Sequence, residues 1–243
     1  MKKTILLLSP ALMLLTLFSC GGKGKSDDKS EVSASEKKGN KEQISSSERT
    51  DKNFKTVKIG KQIWMAQNLN VSTYRNGDSI LWIQDDSAWS KLRTGAFCYY
   101  QNKTANGSKY GKLYNWYAVN DPHGLAPQGW HIPSDAEWRQ LIDYLGGESE
   151  AGKKLKNNSD WNEYDEKNVL GDNSSGFTAL PAGFRDFFGP FYSVGSNCLW
   201  WSSSEDKVQY NDGIFRCLCY DCKNVFRNSF SKRRGVSVRC IKD

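Results

Sequence analysis

The sequence predicts an α+β domain, because two helical segments come early in the chain and several strand-like runs come late, without regular βαβ alternation. A second observation is the aromatic content of 13%, since every Trp and Tyr lies beyond Asn53 and can contribute to one large core. The aromatic content and the mean hydropathy of −0.67 exclude a polytopic membrane protein and a fully disordered chain. We therefore expect one domain, preceded by a leader and a linker.

The first 19 residues have the pattern of an export signal. Two lysines precede the apolar stretch from Ile5 to Phe18, which is too short to span a membrane and has the length of a signal-peptide core. Leu17-Phe18-Ser19-Cys20 resembles the lipobox of bacterial lipoproteins, in which the cysteine is lipidated and becomes the first residue. The alternative is an ordinary signal peptide with Cys20 as an incidental thiol. Two or more acyl chains on Cys20 would anchor the chain stably to a membrane.

Residues 20–53 predict a disordered tether between the lipidated Cys20 and the domain. After Cys20, the only apolar residues of this segment are Val32, Ala34 and Ile44, too few to offset the entropy of ordering it. Ser26-Asp27-Asp28 resembles the acidic signal that directs lipoproteins of the Bacteroidota to the outer face of the outer membrane. We expect a surface-exposed outer-membrane lipoprotein of a bacterial cell envelope.

The charge balance gives no sign of a nucleic-acid partner. Lys and Arg number 34 against 27 Asp and Glu, a net charge of +7 that is spread over a mixed surface. The run Lys232-Arg233-Arg234 precedes a glycine and is typical of a solvated hairpin tip, with an anionic partner as the alternative.

The domain opens with a predicted hairpin. Thr56 to Ile59 alternates polar and apolar residues, and Ile63 to Met65 resumes the pattern after Gly60-Lys61, which suits a tight turn. Leu81-Trp82-Ile83 is a short apolar run that fits a strand or a packed loop.

Two helices are predicted next. Gly111 to Val119 places apolar residues at helical spacing, and the second helix lies between Pro133 and Gly147. Ser134 and Glu137 have the spacing of a capping box, and a glycine follows the last apolar turn. The apolar stripe of the second helix consists of Trp138, Leu141, Ile142 and Leu145. The later strand-like runs are Phe177 to Leu180, Leu199 to Ser203, Ile214 to Tyr220 and Gly235 to Ile241.

Several segments, taken together, resemble the Fibrobacter succinogenes major paralogous domain, over residues 54–243. The resemblance implies a fold similar to C-type lectins and to the formylglycine-generating domain, with two short helices on a twisted, mostly antiparallel sheet with long loops. It also implies that the first and last strands pair, so that Val57 and Ile59 lie near Val236 and Val238. The matching segments are TVKIGKQIWMAQNLN, YGKLYNWYAVND, GLAPQGWHIPSDAEWRQLIDYLGG, GFTALPAGFRD, WWSSSE and GVSVRCIKD.

The cysteines allow three interpretations. Beyond Cys20 there are six, an even number that permits disulfides in an exported chain, and Cys217-x-Cys219-x-x-Cys222 forms the only cluster. A zinc site would ordinarily need a second cysteine pair or histidines, so disulfides or free buried thiols are favoured and no metal is assigned. If the strands near residues 199–204 and 214–220 pair antiparallel, Cys198 faces the Cys219 to Cys222 region, where we expect one disulfide.

Binding is favoured over catalysis. The formylglycine-generating relatives bind copper through a cysteine pair that has no counterpart here, and no motif offers a nucleophile with a base, so the chain is not expected to be an enzyme. We expect a binding or adhesion domain with a glycan or surface-protein ligand; a purely structural envelope lipoprotein is the alternative, and an oxidative enzyme like the formylglycine-generating one is a distant third. Candidate contacts are Trp161, Trp200 and Trp201. Calcium is conceivable at Asp165, Glu166, Asp172 or Asn173, although the complete lectin motif is absent, and no cofactor is assigned.

Overall fold

A computed structural model describes residues 54–163 and 169–243, which form an α+β domain of short helices and mostly antiparallel sheets. The predicted fold class is therefore confirmed at this level, with five short α-helices among the described residues instead of two. None of the helices in those two ranges is long and apolar enough to cross a bilayer. The leader, the tether and Cys20 lie outside the described residues.

The elements follow one another without regular alternation. The strands are β1 (Thr56–Ile59), β2 (Gln62–Met65), β3 (Leu81–Trp82), β4 (Ala96–Cys98), β5 (Leu113–Tyr114), β6 (Trp130–His131), β7 (Ala182–Arg185), β8 (Phe191–Val194), β9 (Asn197–Glu205), β10 (Asp212–Cys219), β11 (Val225–Ser231) and β12 (Ile241–Lys242). The helices are α1 (Asp86–Ser90), α2 (Ala105–Tyr110), α3 (Trp116–Val119), α4 (Asp135–Tyr144) and α5 (Ala151–Leu155), with a 3-10 turn at Tyr100–Asn102.

A four-stranded sheet has the order β1-β2-β12-β6 and contains the predicted hairpin. Gly60 has φ of +60° at the turn, a conformation that glycine adopts without a steric cost. The last strand pairs with β2 and not with β1, because Ile241 lies opposite Trp64. The expected proximity of the first strand to Val236 and Val238 is thus wrong: those two valines pack in a different part of the core from Ile59.

A five-stranded sheet has the order β11-β10-β9-β7-β8 and contains two of the predicted late strands, β9 and β10. Residues 177–180 form no strand; Ala179 makes only an isolated bridge, to Lys156. Residues 235–240 also lack regular strand structure and instead cross between sheets. In this segment Val236 bridges to Tyr114 of β5, while Ser237 bridges to Trp200 of β9.

The third sheet has the order β3-β4-β5, and its β3 and β4 run parallel. The sequence predicts one helix over residues 111–119, but only Trp116–Val119 is helical, and Leu113–Tyr114 is the strand β5. The reason is a helix start at Asn115, whose side chain accepts a hydrogen bond from the Ala118 N–H. Helical spacing in such a short segment did not distinguish the two elements.

Helix α4 confirms the strongest local prediction. Ser134 is the N-cap, and its hydroxyl and the Glu137 carboxylate form the predicted capping box. Gly147 donates its N–H to the Ile142 carbonyl 2.9 Å away, which closes the helix end. The predicted apolar stripe of Trp138, Leu141, Ile142 and Leu145 is buried.

Strand β9 separates two hydrophobic clusters, which we call the Trp200 core and the Trp201 core after the two residues of the strand that face them. The Trp200 core includes Ile59, Trp64, Trp138, Leu141, Phe177, Cys198 and Leu218. The Trp201 core includes Met65, Leu69, Tyr114, Trp116, Phe215, Val236 and Val238. Both faces of β9 are therefore covered by other elements.

Candidate functional site

Trp200 and Trp201 cannot be the ligand contacts that the sequence suggested, because their side chains are 1% and 0% exposed. They point to opposite faces of β9, as strand geometry requires. The indole N–H of Trp200 donates to Asn68 Oδ1 at 2.9 Å, and that of Trp201 donates to the Tyr114 carbonyl at 2.9 Å. Their polar atoms are thus satisfied inside the domain. Both residues belong to the framework.

Trp161 is half-buried and packs against the Trp200 core. Its indole N–H donates to Asn157 Oδ1 at 3.0 Å and to the Ala179 carbonyl at 3.2 Å. The Lys156 ammonium lies 5.4 Å from the centre of the ring system. The polar edge of Trp161 is used internally, so only its remaining exposed surface is free for a ligand contact, and that role stays a prediction.

The proposed calcium ligands do not form a cluster that the structure describes. Asp165 and Glu166 lie outside the described residues. Asp172 accepts a hydrogen bond from the Ser174 N–H at 2.9 Å, and the Asn173 side chain accepts one from the Thr178 N–H at 2.8 Å. These contacts are those of side chains that stabilise turns.

The six cysteines of the described residues are free thiols. Cys198 lies opposite Leu218 across β9 and β10, so these two side chains share one face, and Cys217 and Cys219 occupy the other. The disulfide expected from Cys198 to the Cys219 to Cys222 region is therefore absent among these residues. Burial raises the pKa of the Cys198 thiol to about 12, which keeps it in the unreactive thiol form.

An exposed tryptophan that the sequence did not single out lies on β3. Of the nine tryptophans, all within the described ranges, only Trp82 is exposed, at 41%. Its neighbour Leu81 is also exposed, and the Tyr99 ring contacts the indole edge-on with centroids 5.5 Å apart. An exposed group of large apolar side chains on a folded domain is informative, because such groups often mark binding sites.

Backbone strain occurs beside Trp82. Because β3 and β4 are parallel, their carboxyl ends lie side by side, and the chain that leaves β4 passes next to the end of β3. Here Gln101 and Asn102 have φ of +53° and +56°, two consecutive non-glycine residues in the left-handed region. Such residues cost free energy and concentrate at functional sites. We define the Trp82 surface as Leu81, Trp82, Tyr99, Gln101 and Asn102.

Arg185 fixes the backbone that follows Trp82. Its side chain is 0% exposed, and it donates to the carbonyls of Ile83 and Gln84 at 2.6 and 2.7 Å. It also donates to the Gly189 carbonyl at 2.7 Å and to Asp86 at 2.8 Å. One buried guanidinium therefore joins the end of β3 to the turn after β7. This bonding anchors the two residues that directly follow Trp82.

His131 connects helix α4 to the last residues of the domain, beside a cleft of about 360 Å³. Its Nδ1 lies 2.7 Å from Asp243 Oδ1, and its Nε2 lies 2.8 Å from Glu137 Oε1. Both ring nitrogens are engaged, so neither is free to take a proton from a substrate. We call these two hydrogen bonds, from His131 to Glu137 and to Asp243, the clip, and we assign it a structural role.

The clip is expected to stabilise the domain most between pH 4.5 and 6.5. Burial alone would lower the pKa of His131, but its hydrogen bonds to Glu137 and Asp243 raise it above 6.5, so this contribution is lost as pH rises through the raised pKa. Burial alone would raise the pKa of Glu137, but hydrogen bonds from Ser134 and His131 lower it below 4.5, so its contribution is lost on acidification through the lowered pKa.

Urea unfolding of the wild type and of His131→Gln at several pH values measures this effect. The difference in unfolding free energy should stay below about 1 kcal/mol because the ring is partly exposed, and it should shrink above pH 6.5. NMR titration of the two histidines supplies the check. A His131 midpoint at or below the ordinary value contradicts the assignment.

The comparisons with known proteins agree with the resemblance of the segments. Residues 57–242 match the model of the Fibrobacter succinogenes major domain, which covers well over half of the chain. Neither a curated protein nor a solved structure matches the chain. The chain belongs to the Fibrobacter succinogenes major domain family.

Proposed function

We propose that this chain is a lipid-anchored protein on the outer surface of a bacterial outer membrane, and that its domain has a lectin-like fold and binds carbohydrate. The proposal rests on the Trp82 surface, and above all on the one exposed tryptophan. An indole offers a flat apolar face on which a sugar ring can stack, and neighbouring amides can bond its hydroxyls. No catalytic role is proposed.

Rigid presentation of Trp82 supports a binding role. Arg185 holds the carbonyls of the two residues that follow the tryptophan, and the Asn102 side-chain amide donates to one of them, the Gln84 carbonyl, at 2.9 Å. A surface that is fixed before binding loses little conformational entropy when a ligand arrives. The long, polar tether would hold such a surface away from the membrane.

The anchoring part of the proposal predicts the behaviour of Cys20→Ala. Without the thiol no acyl chain can be attached, so we expect the protein to leave the membrane fraction and appear in the soluble fraction of lysed cells. Immunoblotting of both fractions, with Cys98→Ala as a control that retains Cys20, measures the change. An unchanged membrane fraction for Cys20→Ala would refute lipid anchoring.

The binding part predicts that Trp82→Ala weakens carbohydrate binding at least tenfold, which corresponds to about 1.4 kcal/mol. The full chain, extracted in detergent, is applied to a glycan array, and affinities for retained glycans are then measured by calorimetry. The matched control is Tyr144→Ala on α4, because Tyr144 is an aromatic residue that is 66% exposed and lies outside the Trp82 surface. The control should bind as the wild type does.

Two results would overturn the assignment of carbohydrate binding to the Trp82 surface. One is an array on which the wild type retains no glycan, with or without calcium, which would favour a structural envelope protein. The other is equal binding by the wild type and Trp82→Ala, which would move the contact to another surface, with Trp161 the next candidate. Capture of a surface protein in place of any glycan belongs to the first result and would indicate a protein ligand.

A further inference from the structure

The structure assigns a thiolate-rich metal site to the loop that joins β10 and β11. We propose that Cys219, Asp221 and Cys222 bind a divalent zinc-class cation, with the Cys217 thiol as the fourth ligand. The site lies at the end of the hairpin and is separate from the Trp82 surface. The sequence showed the cysteine cluster but gave no partner with which its members could complete a metal site.

The ligand atoms already lie at a suitable spacing. One ligand atom each from Cys219, Asp221 and Cys222 falls within 4.8 Å of the other two. Sulfurs bound at about 2.3 Å to a tetrahedral zinc ion are roughly 3.8 Å apart, so small side-chain rotations bring these groups to bonding distance. Cys219 and Cys222 are half-buried, which leaves the ion a path of entry.

Cys217 and Asn197 lie next to the proposed metal ligands. Cys217 is two residues before Cys219 on β10, so both thiols project from the same face of the strand. The Asn197 amide nitrogen lies 3.6 Å from Cys217 Sγ and 3.4 Å from Cys219 Sγ. An N–H directed at sulfur stabilises thiolate charge, as partners just outside a metal's ligands commonly do.

The loop backbone is fixed by neighbouring elements. Tyr220 donates its N–H to the Ser196 carbonyl at 2.8 Å, and Gly152 of α5 donates its N–H to the Lys223 carbonyl at 2.9 Å. The approach of α5 is so close that a Cβ on Gly152 would lie 2.5 Å from that same oxygen. Ligands on a rigid loop need little reorganisation to bind a metal.

Lys156 supplies an electrostatic reason for an anionic group at this site. Its side chain is buried, and its ammonium lies 3.1 and 2.8 Å from the carbonyls of Cys219 and Cys222. Among the described residues, its acceptors within 3.5 Å also include the carbonyls of Val169 and Tyr220, and no carboxylate. A buried positive charge is costly without a negative partner. Metal-bound thiolates beside it would provide that charge.

Metal binding also accounts for the number of thiols. A disulfide between two of the three cysteines would leave the third unpaired, whereas a cation uses all three and the carboxylate. Each thiol loses its proton on binding, so one Zn²⁺ displaces up to three protons and leaves three thiolates and one carboxylate around the ion. No electron transfer is involved.

The test uses the full chain, reduced and freed of metal with a chelator. Zn²⁺ is added in competition with a chromophoric chelator, and Cd²⁺ is added separately to detect thiolate charge-transfer absorption. We expect one equivalent of each metal to bind, with proton release. Cys219→Ser and Cys222→Ser should abolish stoichiometric binding, and Asn197→Ala should weaken it by about 10–100-fold. The matched control is Cys98→Ala, a buried cysteine in another part of the core, which should bind as the wild type does.

Alkylation of the wild type gives a measurement that does not depend on variants folding. Zn²⁺ should protect Cys219 and Cys222 from N-ethylmaleimide, as mapped by mass spectrometry. The proposal is overturned if the reduced chain binds neither metal, if binding persists in both serine variants, or if alkylation is unchanged by Zn²⁺. A Cys219–Cys222 disulfide in protein isolated from cells would also overturn it.

Discussion

Replacement of Arg185 with alanine is expected to lower the free energy of unfolding by about 3–5 kcal/mol. The guanidinium is 0% exposed and donates to three backbone carbonyls, those of Ile83, Gln84 and Gly189. Each buried carbonyl left without a donor costs about 1–3 kcal/mol, and water entering the vacated space recovers part of this. The side chain also stacks on Trp89, with the guanidinium carbon 4.5 Å from the ring centroid.

Urea unfolding followed by tryptophan fluorescence measures the change. Asp86→Asn is the control for the ion pair, because the Asp86 side chain is 57% exposed and should contribute less than about 1 kcal/mol. The loss of unfolding free energy for Arg185→Lys should lie between those for Asp86→Asn and Arg185→Ala, since one ammonium cannot reach all four acceptors. A loss below about 1 kcal/mol for Arg185→Ala would show that the carbonyls find other donors. It would also show that Arg185 is not needed to fix the backbone that follows Trp82.

Trp200→Ala is expected to destabilise the domain by about 3–5 kcal/mol, the range for removal of a large buried aromatic side chain. Trp200 packs against Trp138 and Phe177, with ring centroids 5.9 and 5.6 Å away. The substitution would leave a cavity between β9 and α4. It would also leave Asn68 Oδ1 with only the Arg239 guanidinium as a donor among the described residues.

Trp82→Ala is the matched control, because it removes the same side chain from an exposed position. We expect it to change the unfolding free energy by less than about 1 kcal/mol while it weakens carbohydrate binding at least tenfold. Trp200→Ala should do the reverse: it should lower stability and leave affinity unchanged in the folded fraction at low temperature. Equal stability of the wild type and Trp200→Ala would contradict the buried position, and a selective loss of affinity would restore Trp200 as a contact.

The elements that could be predicted are those whose signals are local. Helix α4 has a capping box, an apolar stripe and a terminal glycine within one segment, and the structure contains all three. The β1–β2 hairpin has alternation on both sides of Gly60. Helical spacing over residues 111–119 is a weaker signal, because the same apolar pattern is compatible with a two-residue strand followed by a four-residue helix.

The exposed residues of the candidate site could not be predicted, because their exposure depends on packing between elements that are distant in sequence. Alternation correctly places Trp200 and Trp201 on opposite faces of one strand, but it cannot show that a second layer covers each face. Trp82 lies in an apolar run of the same appearance, but it belongs to the short edge strand β3 and its side chain is exposed. The three clustered thiols were visible in the sequence, whereas Asn197, which approaches two of the sulfurs, and Lys156, which bonds the Cys222 carbonyl, come from distant elements.

The path of residues 235–242 restricts when the domain can fold. This segment bridges β7, β5 and β9 in turn, and β12 then lies between β2 and β6. Contacts between residues so far apart in sequence form slowly, and the four-stranded sheet is incomplete until β12 joins β2 to β6. The bridges that join the three sheets therefore form only once residues 235–242 are available.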